Sequence, residues 1–205
     1  QKFSTGVVQL RVIDSPRMLE CFILYKNKQG IEKALETGLP ELFDFFIVES
    51  LRIEDKKNSK SDAEIKYTLL RMLALCMNIY GKTEIAKDDV VTFLDSVKSN
   101  IAISYISKAN IEDLYDRALL IPNENSVQFF NTEIQEFLAS KEVIHLGKAS
   151  QILFDVAYDS NLNEFKPFWK NTIKFIIEQE ISVQSDLIDF MLRRFSSLDY
   201  SLLQL

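Results

Sequence analysis

The stretch LLIPNENSVQFFNTEIQEFL, residues 119–138, holds two short apolar runs, Leu119–Ile121 and Val127–Phe130, on either side of Pro-Asn-Glu-Asn-Ser. Proline, asparagine and serine set turn dihedrals or hydrogen-bond their own backbone, so the pattern predicts a β-hairpin. Behind it Ile134, Phe137, Leu138 and Ile144 fall at helical positions, which predicts a helix capped by Thr132, running through Leu146 and ended by Gly147.

Upstream, three helices are expected in succession. Ser61 followed by Glu64 matches a capping box, in which each side chain satisfies the other residue's free amide. Ile65, Leu69, Met72, Leu73, Cys76 and Ile79 then form one stripe, with Gly81 placed to end the helix in the left-handed conformation. After a short Lys82–Ala86 stretch, Val90, Val91, Phe93, Leu94 and Val97 mark the next helix, and Ile111, Leu114, Tyr115 and Ala118 the third. Three helices and a hairpin are the order of a winged-helix unit, here spanning residues 59–147.

On the N-terminal side, residues 1–58 read as a small helical bundle. Ser15 and Pro16 suit an N-cap and a first helical residue, because proline has no amide hydrogen to leave unpaired there. Met18, Leu19, Phe22 and Ile23 follow at helical spacing, Gly30 and Gly38 punctuate, and Pro40 opens a helix with an apolar face of Leu42, Phe43, Phe46, Ile47 and Leu51. The charged, aperiodic segment Glu54 to Lys60 reads as a connector. On the C-terminal side, residues 148–205 give three helical patterns, Ala149–Tyr158, Glu164–Glu178 and Val183–Leu198, expected as antiparallel hairpins that begin a helical array. The fold class expected is mainly α.

Bulk composition narrows the function classes. Thirty acidic against 24 basic residues give a net charge of −6, whose field repels nucleic-acid phosphates and anionic lipid. Five glycines and four prolines leave little material for a turn-rich all-β fold. The densest apolar segment, Leu42 to Ile53, is broken by Asp44, Glu49 and Arg52, so no membrane span is expected. Cys21 and Cys76 each sit in an apolar helical pattern and no secretory signal opens the chain, so a reducing, cytoplasmic compartment is expected. Gln1 in place of a start methionine suggests a piece of a longer protein.

Candidates for chemistry are few. His145 is the only histidine, so neither a zinc site nor a nucleophile–histidine pair can be assembled around it. Asp88/Asp89 and Glu112/Asp113 are adjacent acids that point in different directions on a helix, better suited to solvated faces or a first helical turn. The chain contains neither a glycine-rich phosphate loop nor an acidic metal site to accompany one. It is therefore not expected to be an enzyme by itself, and no cofactor is expected within it.

Three segments carry a resemblance. VQFFNTEIQEFLAS, residues 127–140, resembles the end of the winged-helix domain of NACHT-type STAND nucleotide triphosphatases, where a wing strand leads into a helix reading Gln-Glu-Phe-Leu-Ala. SPRML, residues 15–19, resembles the proline-containing start of that family's small helical domain, and EFKPFWKNTIKF, residues 164–175, its first sensing-array helix. The resemblance implies a regulatory arm that folds over ATP or ADP held by an upstream nucleotide-binding core, and opens for assembly on a signal. Its implied partners are that core, the downstream array and protein partners or further copies, without nucleic acid or membrane. It also implies that Pro16 lies by the adenine and that Asn131 stands where the family has a phosphate-reaching histidine. Asparagine can donate one hydrogen bond there but carries no charge. On the residues alone, a helix cap is the readier reading of Asn131 and a first-turn proline that of Pro16.

Two other functions fit the same elements. One is a winged-helix DNA-binding regulator, whose recognition helix would be Asn110–Ala118 with three acids against one arginine. The other is a helical protein-interaction scaffold that needs no nucleotide.

Overall fold

The computed structural model describes residues 16–52, 60–98, 108–117 and 119–194. It is mainly helical, with two small antiparallel sheets. The chain divides into two compact units, Gln1–Tyr67 and Thr68–Leu205. The expected cap Ser15, most of the expected connector, Ala118 and the chain beyond Arg194 lie outside the described residues.

In the first unit, helices α1 (Pro16–Gln29), α2 (Ile31–Glu36) and α3 (Leu39–Arg52) pack together. α3 buries Leu42, Phe43, Phe46, Ile47 and Leu51, the five positions its periodicity selects. Each fully buried side chain of this kind contributes roughly 1.5–3 kcal/mol. α1 turns a different side inward from the one expected: Tyr25 is buried and Phe22 half-buried, while Leu19 and Ile23 are exposed. Polar pairing explains the choice. Tyr25 Oη donates to Glu41 Oε1 at 2.6 Å and accepts from Thr37 Oγ1 at 2.9 Å, so the ring enters the core with its hydroxyl satisfied. The same ring meets Phe45 edge-on at 4.9 Å.

Helix α4 (Lys60–Ile79) begins one residue before the expected cap, which puts Ser61 inside its first turn. Leu69 and Leu73 of the expected stripe are buried, but so are Leu70, Ala74, Leu75 and Met77, while Ile79 is exposed. Between Leu69 and Met77 only Arg71 is polar, so a single stripe under-describes this part of the helix. Its end follows expectation. Gly81 stands at φ 63°, its N–H bonds the Asn78 carbonyl, and the Lys82 N–H reaches back to Met77 O at 2.9 Å. This paired closure needs a left-handed residue, which glycine adopts at little cost.

In the second unit the end of α4 leads to β1 (Glu84–Ala86), α5 (Lys87–Lys98), α6 (Lys108–Asp116), β2 (Leu120–Pro122) and β3 (Ser126–Phe129). The strands form an antiparallel sheet in the order β1-β3-β2, with Ile85 opposite Val127 and Ile121 opposite Gln128. This is the winged-helix arrangement. The hairpin was expected from its turn; β1 was not, because only Ile85 of its three residues points inward and such a run shows no period.

Helix α7 (Thr132–His145) follows the wing directly, and α8 (Ala149–Ile152) widens into a π-helical turn, Leu153–Ala157. A short hairpin comes next, β4 (Tyr158–Asp159) with β5 (Glu164–Phe165), its turn held by Asp159 Oδ1, which accepts the Asn161 N–H at 2.9 Å. The helix expected over Glu164–Glu178 starts only at Lys170, as α9 (Lys170–Gln179), after a 3₁₀ turn, Pro167–Trp169. Pro167 lacks an amide hydrogen and holds Lys166 extended at ψ 128°, so the helix cannot reach further back. α9 packs on α7 and on α10 (Ile181–Arg194), and α10 also touches α8. Trp169, Ile173 and Ile176 are buried in this layer, and Phe137 meets Phe175 edge-on at 5.8 Å. Among the described residues no helix is long and apolar enough to cross a membrane.

Candidate functional site

Where β3 ends and α7 begins, Asn131 has extended backbone, φ −146° and ψ 132°, and its Oδ1 accepts the Glu133 N–H at 2.6 Å. Asn131 is the N-cap. Thr132, expected in that role, is instead the first helical residue, because a cap needs the non-helical backbone that Asn131 adopts. Only the oxygen of the amide can accept from an N–H, so the cap fixes its orientation and turns Nδ2 the other way. That Nδ2 makes no hydrogen bond among the described residues, and Asn131 is half-buried. One residue thus holds the helix start and keeps two donor hydrogens in hand.

Pro16 is the first residue of α1 and is exposed. It belongs to the first unit and Asn131 to the second. His145 is the last residue of α7 and is exposed. Asp88 and Asp89 are exposed in the first turn of α5, where acids complement the amide end of the helix. The Cys76 thiol is pushed up by burial and by the Asp89 carboxylate, which keeps it protonated and a weak nucleophile. Among the described residues no group of three or more His, Cys, Asp or Glu is placed to hold a metal ion.

The helix in the recognition position of the winged-helix unit, α6, exposes Glu112 and Asp116. Arg117 is only 8% exposed, and its Nε donates to Asp113 Oδ2 at 2.6 Å. The arginine nearest this surface is therefore directed inward, and acids remain outside.

Sequence periodicity missed a polar seam around α7. Gln135, Glu136, Ser140 and Glu142 are all buried. Gln135 Nε2 donates to the Lys82 carbonyl at 2.9 Å, Asn171 Nδ2 to Glu136 Oε2 at 3.0 Å, and Gln179 Nε2 to Ser140 Oγ at 3.0 Å. Arg71 of α4 lies 3.4 Å from Glu142. Beside them Asn78 Nδ2 donates to Thr172 Oγ1 at 2.9 Å, both residues being 0% exposed. Burial pushes the Glu136 carboxyl up; the Asn171 hydrogen bond opposes this and the neighbouring Glu133 charge adds to it. The available signal was that polar residues in α7 occur on every side of the helix, so no apolar stripe could confine them.

Compared with families of known proteins and with curated proteins, the chain matches none.

Proposed function

We propose that this chain is the regulatory arm of a NACHT-type STAND nucleotide triphosphatase, non-catalytic in itself, that couples nucleotide state to domain closure and assembly. The observation that carries the reading is the junction at Asn131: a winged-helix unit runs without a break into a helix whose cap residue keeps an unused amide donor. In this reading ATP or ADP is held by an upstream core of a cytoplasmic parent protein. Asn131 Nδ2 donates to a phosphate oxygen while Oδ1 maintains the cap. The phosphate-loop lysine and the metal-binding acid belong to the core, and the helices after residue 148 begin the sensing array. DNA binding is the weaker alternative, because α6 exposes acids and Arg117 is tied to Asp113.

Asn131→Asp in the intact parent protein separates the two roles. Aspartate is as good a cap as asparagine, so thermal stability is expected to hold. The variant loses the donor and repels phosphate, so ADP affinity is expected to fall by about tenfold or more, since a hydrogen bond to a charged group contributes roughly 1.5–3 kcal/mol. Undiminished ADP binding by the variant, measured by calorimetry, reduces Asn131 to a cap and removes the nucleotide assignment.

A further inference from the structure

We draw no further inference here: the strongest candidate, the apolar surface patch that α1 and the start of α2 leave exposed at Leu19, Ile23, Leu24 and Ile31, carries nothing because nothing in the structure shows what covers it.

Discussion

Helices α3 and α7 are each 14 residues long, yet they bury themselves in different ways. α3 buries Leu42, Phe43, Phe46, Ile47 and Leu51 with Ser50 as the one polar residue among them, and exposes Glu41. α7 sinks nearly its whole circumference, taking Gln135, Glu136, Ser140 and Glu142 inside together with Ile134, Phe137, Leu138, Ala139 and Val143. For a helix at the edge of a layer, apolar spacing reports where water is, and reading it is enough. For a helix enclosed by neighbours, the decisive question is where each polar group finds its partner, and that depends on residues far away in sequence.

The largest expected effects test the apolar half of this comparison. Phe43 of α3 and Phe137 of α7 are both fully buried. Phe43→Ala and Phe137→Ala are each expected to cost about 3–5 kcal/mol, from lost transfer energy and the cavity left behind. Because the chain forms two compact units, native-state hydrogen exchange is the right readout: each variant should lose protection in its own unit first. A Phe137→Ala cost well under that of Phe43→Ala would mean that α7 is not the enclosed helix described above.

A smaller effect tests the polar half. Asn78 and Thr172, 94 residues apart in sequence, share one buried hydrogen bond. Asn78→Leu alone leaves the Thr172 hydroxyl without that partner, and Thr172→Val alone does the same to the Asn78 amide; each is expected to cost about 1–3 kcal/mol. The double variant replaces both groups by apolar ones of similar shape and is expected to cost less than the two single changes together. Additive costs, measured by urea unfolding, would show that the polar contacts beside α7 are independent of one another.

The same distinction explains how much was legible in advance. The face of α3, the wing hairpin and the glycine-terminated ends of α4 and α7 were readable because each depends on residues within a few positions of one another. The inward turn of Tyr25, strand β1 and the buried polar residues of α7 were not, because Glu41, Val127 and Asn171 decide them from a distance. The late start of α9 depended on the local effect of Pro167, outweighed in the reading by the apolar spacing around it. At the candidate site the sequence offered Asn131 as either a cap or a phosphate contact. The structure settles the cap, and the free Nδ2 leaves the second role chemically open.

The smallest expected effect has opposite signs on the two helices. Glu136 of α7 is buried with its pKa raised above the ordinary carboxyl value, so the folded chain holds that proton more tightly than the unfolded chain does. Its contribution to stability is fully present below the unfolded value of about 4.3 and is lost as pH rises through the folded value. Glu136→Gln keeps an oxygen to accept from Asn171 and never ionises. Its melting temperature should match that of the parent near pH 4 and exceed it at pH 7, by less than the effect of either single change in the Asn78–Thr172 cycle. Glu49 of α3 instead pairs with a half-exposed Lys28, and Glu49→Gln should lower the melting temperature slightly at pH 7, since such pairs contribute about 0–1 kcal/mol. A drop at pH 7 in both variants would place Glu136 among ordinary paired surface carboxylates and remove the electrostatic difference between the helices.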